Sequence, residues 1–212
     1  MSTKQAPVSH PAEHRHTAAT NAHQRVRLRK LHKTHRRWVA WATALAITAA
    51  AVIAVMIGGR AQSSVQSGRA PDFQLASTSG QTVSLAEFKG KNVLLYFNEG
   101  VGCDACFYQL GKLESDASLE RAGLTMLPIV MNTRADVQSQ LTRFNLRTPY
   151  LLDPTGATSA AYKALGTGHH ANLPGHTFIL VGPDGMIRWR GDYPGMWIEP
   201  SELASLVTSK LG

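Results

Sequence analysis

The two cysteines of this chain, Cys103 and Cys106, stand together in Gly-Cys-Asp-Ala-Cys. Thiols at this spacing can close a small disulfide loop in the first turn of a helix. The first sulfur then meets backbone N–H groups that have no intrahelical partner, together with the positive end of the helix dipole, and both favour the thiolate. The thiolate is the attacking species in disulfide exchange, and the second cysteine resolves the mixed disulfide that forms. Two other uses of the pair stay open on the residues alone. One is a structural bridge, although so short a loop constrains little of the unfolded chain. The other is half of a zinc site, for which no second cysteine pair exists.

For that chemistry, a strand must end and a helix begin at Cys103. The apolar run Lys91 to Phe97 reads as a buried strand, and Cys103 to Ala122 reads as a helix with Phe107, Leu110, Leu113 and Leu119 near helical spacing. Leu124 to Met131 is the next buried strand, Ala135 to Asn145 a second helix, Tyr150 to Leu152 a short strand and Ala157 to Leu165 a third helix. Thr177 to Val181 and Met186 to Arg190 flank Gly-Pro-Asp-Gly as a hairpin, and Glu199 to Leu211 closes the chain as an amphipathic helix. The alternations around Ser79-Gly80 form a hairpin-like start. This order predicts an α/β domain over 71–212, with a central mixed sheet flanked by helices.

The remainder of the 212-residue chain has another character. Residues 1–37 carry nine Lys/Arg, one acid and six of the nine histidines, whereas beyond residue 37 there are 13 basic and 13 acidic residues. The net charge of +8 therefore belongs to a basic, His-rich tail, expected to be disordered. The folded part has no electrostatic footprint for nucleic acid. Residues 38–57 contain no charge and begin with Trp38 and Trp41. About 20 apolar residues suffice for a helix to cross a bilayer. A single transmembrane helix is expected over 38–58, with the cation-rich tail cytoplasmic and the C-terminal part outside. Residues 59–70, rich in Gly, Ser and Gln, read as a linker. A cleaved signal peptide is the rival, with Gly59-Arg60-Ala61 as a passable cleavage site.

The stretch Ala70 to Leu75, continuing through Ser84 to Phe97, Gly102 to Cys106 and Thr177 to Tyr193, resembles the thioredoxin-like AhpC/TSA (redoxin) superfamily. It looks nearest to membrane-anchored bacterial members of TlpA-like or peroxiredoxin-like type. The resemblance covers about residues 70–212. It implies a thioredoxin fold, with Cys103 as the attacking cysteine and Cys106 as its partner. Thioredoxin-like reductases place Trp before the first cysteine, where this chain has Gly102. Peroxiredoxins place Thr three residues before their reactive cysteine, where it has Gly100. The family also sets a cis-proline opposite the cysteines. Pro174 is the candidate, and Gly175, three residues before Phe178, is the alternative occupant of that position. In that fold His176 would lie near the cysteines, either to polarise a thiol or as a strand histidine bonded to backbone. Glu99 is either a proton acceptor for Cys106 or a loop carboxylate.

These residues predict a membrane-anchored, extracytoplasmic thiol–disulfide oxidoreductase. Its partners would be protein dithiols or disulfides, or an electron donor, and no cofactor or metal is expected. The alternatives are a thiol-dependent peroxidase with antioxidant activity and a Sco-like copper-binding assembly factor using Cys103, Cys106 and His176. The Sco family separates its cysteines by three residues rather than two.

Overall fold

The computed structural model describes residues 38, 41–50, 62–64 and 68–211. The chain divides into two units, Met1–Ile57 and Gly58–Gly212. In the first, residues 41–50 are helical and exposed. No helix among the described residues is long and apolar enough to cross a membrane. The tail over 1–37 and most of the expected 38–58 span lie outside the described residues.

The second unit is built on one eight-stranded mixed sheet of order β1-β8-β7-β4-β5-β6-β2-β3. Its strands are β1 (Gln62–Ser64), β2 (Gln74–Ser77), β3 (Thr82–Ser84), β4 (Asn92–Phe97), β5 (Leu124–Val130), β6 (Leu151–Leu152), β7 (Thr177–Val181) and β8 (Ile187–Asp192). The helices are α1 (Asp104–Ser115), α2 (Ala117–Arg121), α3 (Arg134–Arg143), α4 (Ala157–Ala161) and α5 (Pro200–Thr208). Strand β4 pairs parallel with β5 and antiparallel with β7, and β5 pairs parallel with β6. This is the α/β arrangement expected of a thioredoxin-like domain.

Strand alternation divides the core in two. Leu94 and Tyr96 of β4 face Phe107, Leu110 and Leu113 of α1, Val137 of α3, and Leu203 and Val207 of α5. Val93, Leu95 and Phe97 face Phe73, Leu85 and Tyr162 on the opposite side. Strand β4 is thus covered on both faces, which is why it reads as a continuous apolar run rather than an alternating one.

Three sequence expectations change. The single helix over 103–122 is two helices, broken at Asp116, whose carboxylate accepts from Ser118 N–H at 2.8 Å and caps α2. The third helix stops at Ala161 rather than Leu165, and Lys163 takes a positive φ of 53°. Part of the 59–70 linker is sheet: β1 pairs antiparallel with β8, Arg69 bridges Met186, and Ala70 is buried. The starting hairpin is present as β2 and β3. Beyond it, Leu85–Phe88 turns into a 3-10 helix, closed by a capping box in which Glu87 Oε1 accepts from Ser84 N–H at 2.9 Å.

Candidate active site

Strand β4 delivers the chain to the cysteines through residues 98–102. Asn98 N–H donates to the Ile129 carbonyl (3.2 Å), extending the β4–β5 pairing, and Val101 N–H donates to Asn132 Oδ1 (2.9 Å). Between them, Gly100 has φ of 75°, and the Asn132 side chain occupies the place a Cβ would take. Gly102 has φ of 104°. Both positions favour glycine on conformational grounds alone. The Gly100 position therefore excludes the threonine that peroxiredoxins carry there.

Cys103 is the N-cap residue of α1, and its carbonyl accepts Cys106 N–H at 3.0 Å. The two residues form a disulfide with Cα atoms 5.4 Å apart. Cys103 is 9% exposed and Cys106 not at all, so the first cysteine is the nearer of the two to the surface. Met196, itself buried, packs against both cysteines and has φ of 58°, a strained conformation for a residue with a side chain. Asp104, next to Cys103, is held by Arg143 of α3 through two 2.7 Å hydrogen bonds. Those bonds lower the Asp104 pKa. The nearest cation in sequence is Lys112, so Arg143 is a contribution that only the fold supplies.

His176 enters from the start of β7. A ring nitrogen of His176 and both cysteine sulfurs lie within 4.8 Å of one another. The imidazole is fully buried. Its Nε2 is 2.9 Å from the Tyr96 hydroxyl, which also donates to the Cys106 carbonyl at 3.2 Å. Nδ1 has no hydrogen-bond partner among the described residues. Burial, with a smaller contribution from His169, lowers the His176 pKa from 6.5 to about 3, so the ring is neutral. Tyr96 is fixed by stacking on Phe178, its cross-strand neighbour, with ring centroids 4.4 Å apart. Both sulfurs are engaged in the S–S bond.

Residues 165–176 form the other wall. No cis peptide bond occurs among the described residues, so Pro174 is trans. Gly175 N–H donates to the Thr167 hydroxyl (3.0 Å), which lies 2.8 Å from that of Thr177, and Thr177 donates to Asp192 Oδ1 (2.7 Å). Arg190, almost fully buried, grips the Asp192 carboxylate from two nitrogens and donates to the carbonyls of Tyr162 and Lys163. Glu99 belongs to this wall too. Its Oε1 accepts His169 N–H at 2.9 Å, and its Oε2 lies 3.8 Å from His170 Nε2. A Cβ on Gly168 would stand 2.8 Å from the Gly175 Cα and 2.9 Å from Glu99 Oε1, so the loop closes tightly over the carboxylate. The His170 side chain is 64% exposed, while the His169 backbone N–H is held by Glu99.

The fold thus brings Cys103, Cys106 and His176 together and sets Gly175, Pro174 and Glu99 in the adjoining wall. Sequence reasoning missed Tyr96, Met196, Arg143 and the Thr167–Thr177–Asp192–Arg190 chain. Tyr96 left one signal, a hydroxyl inside an otherwise apolar strand.

Among known proteins, the AhpC/TSA family matches residues 67–190. No curated protein matches. Similar solved structures include peroxidoxin BcpB of Mycobacterium tuberculosis, with 14% identity over 69% of this chain and 95% of that one, and a TM-score of 0.57. The reduced 2-Cys peroxiredoxin of Plasmodium vivax has 18% identity over 66% and 93%, with a TM-score of 0.59. A secreted disulfide oxidoreductase of Mycobacterium tuberculosis, homologous to E. coli DsbE, has 22% identity over 65% and 95%, with a TM-score of 0.52. At these identities the likeness establishes the thioredoxin-like fold.

Proposed function

This chain belongs to the AhpC/TSA family, and from that premise we propose that it is a thiol–disulfide oxidoreductase acting on protein disulfides through Cys103 and Cys106. The carrying observation is the asymmetry of the pair: Cys103, at a helix N-terminus, keeps 9% exposure, and Cys106 is fully buried. In the dithiol state the Cys103 thiolate attacks a substrate disulfide, and the mixed disulfide is resolved by Cys106. The substrate leaves reduced, and the enzyme returns to the disulfide state described above. A separate electron donor must then return two electrons to the pair, and the sequence holds no second cysteine pair to relay them.

A thiol peroxidase is the second reading, favoured by the family and by the peroxiredoxins among its structural neighbours. Against it stands Gly100, where the backbone and Asn132 leave no room for a threonine hydroxyl. The reduced full-length chain, mixed in stopped flow with a model protein disulfide and with hydrogen peroxide, separates the two. Faster disulfide turnover supports the oxidoreductase, and faster peroxide consumption reverses the order.

The proposal extends to placement. The charge-free run over 38–57, preceded by nine cations, supports a single membrane tether with the redox domain outside. A reporter fused after Gly212 should be active only outside the cytoplasmic membrane. Cytoplasmic activity alone, or a mature chain starting near Gln62, would remove the tether from this reading.

A further inference from the structure

The Cys106 thiol has no open path to water in the closed site. Cys106 is completely buried, Met196 covers it, and the imidazole beside it is sealed as well. Resolution of a mixed disulfide nevertheless needs the Cys106 thiolate. An acceptor inside the site would take that proton without waiting for water to enter.

The hydrogen bonds around Tyr96 identify the acceptor. The Cys106 carbonyl can only accept, so the Tyr96 hydroxyl gives it its single proton. The same oxygen can then only accept at the 2.9 Å contact with His176 Nε2, which places the imidazole proton on Nε2. Nδ1 is left as a bare lone pair, and it is the ring nitrogen with no partner. Leaving a buried polar atom unpaired is unfavourable, which singles it out for explanation. Both cysteine sulfurs lie within 4.8 Å of a ring nitrogen, so a thiol of the reduced pair is the group at hand to serve it.

We propose that Tyr96 is a positioning residue that fixes His176 as the Nε2–H tautomer, so that His176 Nδ1 takes the Cys106 proton during resolution. The proposal rests on the oxidoreductase reading given above and adds its proton path. The Cys106 S–H proton passes to Nδ1, and the Cys106 thiolate attacks the Cys103 sulfur of the mixed disulfide. The bond from Cys103 to the substrate breaks, and the new Cys103–Cys106 bond forms. The departing substrate thiolate recovers the proton from the imidazolium. Over the cycle the substrate disulfide gains two electrons from the cysteine pair and two protons, one from Cys106 through the imidazole and one from solvent, which received the Cys103 proton when its thiolate formed. The ring starts neutral because it is buried, and its proton affinity rises as the thiolate forms beside it. The titratable groups around it are Tyr96 from β4, Cys103 and Cys106 at the start of α1, His169 with Glu99 from the facing wall, and Tyr193 beyond β8. Tyr193 donates its backbone N–H to the His176 carbonyl.

The test uses the reduced full-length chain and Ellman's reagent, an aromatic disulfide that releases one coloured thiolate at Cys103 and a second when Cys106 resolves. Tyr96→Phe keeps the ring that stacks on Phe178 and removes only the hydroxyl. It should leave the first release unchanged and slow the second by at least about tenfold at pH 6. That deficit should shrink as pH rises and bulk hydroxide replaces the internal acceptor. A second release with the wild-type rate and pH profile would overturn the proposal. Absence of the first release would instead overturn the oxidoreductase reading. Nitrogen-15 NMR of the oxidised wild-type chain gives a readout independent of the variant's folding: the His176 proton is expected on Nε2, and a proton on Nδ1 would also overturn the proposal.

Discussion

Residues 98–102 and residues 165–176 both bring glycines to the disulfide, yet they hold their functional groups by different means. The first stretch works through its own backbone: Gly100 and Gly102 take positive φ, Asn132 pins Val101, and the chain emerges at the N-terminus of α1 with Cys103 as its N-cap. The second is held from a distance. Thr167, Thr177 and Asp192 link it to the buried Arg190, and His176 is seated by Tyr96. The first arrangement sets where the sulfur is, and the second sets the protonation state of what surrounds it. Damage to the first should abolish the chemistry, whereas damage to the second should change its pH dependence.

The largest effect belongs to the cysteines. Cys103→Ser should eliminate disulfide exchange and trap no partner proteins. Cys106→Ser should accumulate Cys103-linked partners, seen as mixed disulfides on non-reducing gels. Equal trapping by both variants would contradict the division of roles drawn from their exposure.

Gly100→Thr tests whether the first stretch depends on its backbone. A β-branched residue at φ of 75°, directed into the Asn132 side chain, should cost about 2–4 kcal/mol in urea unfolding. It should also lower exchange activity without conferring peroxidase activity. A gain in peroxide consumption would mean that only the missing hydroxyl separates this site from a peroxiredoxin.

His176→Asn tests the second stretch through stability. The wild-type imidazole has its pKa lowered from 6.5 to about 3, so between those values the unfolded chain binds a proton that the folded chain does not. Stability from this group is therefore complete above about pH 6.5 and declines as pH falls toward 3, by about 1.4 kcal/mol per pH unit inside the window. Carboxylates titrate in the same range, so the measured quantity is the difference in slope between wild type and variant. Identical slopes in urea unfolding of the oxidised proteins would mean that the imidazole is not buried neutral.

The same division governs what could be read from the residues alone. The cysteine pair, the strand before it and the helix after it are local patterns. β4 and the start of α1 therefore lie where periodicity and the Cys-Asp-Ala-Cys spacing place them. The break at Asp116 is made by a capping carboxylate that starts a new helix, and Leu119, six residues beyond Leu113, lies off the stripe of Phe107, Leu110 and Leu113 rather than continuing it. β1 is short and polar, and its pairing with β8 spans more than a hundred residues of sequence. Tyr96 and His176 are 80 residues apart, and neither the hydroxyl inside an apolar strand nor the histidine just before β7 points to the other as its partner. Long-range side-chain pairs of this kind have no periodicity, so they appear only once the sheet register is known.

The smallest expected effect concerns charge at the Cys103 sulfur. Dipole and free N–H groups at the start of α1 favour the Cys103 thiolate, while Asp104 opposes it, so its pKa in the Cys106→Ser background should lie below that of a free cysteine. Arg143 offsets Asp104 through their paired hydrogen bonds. Arg143→Ala leaves the carboxylate uncompensated beside the sulfur and should raise the Cys103 pKa by a few tenths of a pH unit at low salt. Both side chains are more than half exposed, so at about 0.1 M salt, where screening acts over ~10 Å, the effect should fade. Asp104→Asn in the Arg143→Ala background should restore the wild-type value, since the opposing charge is then gone. Iodoacetamide rates followed against pH at two salt concentrations measure all three variants. A pKa that falls on removing Arg143 would mean that the guanidinium does not act through Asp104, and the sulfur's electrostatics would then rest on the helix terminus alone.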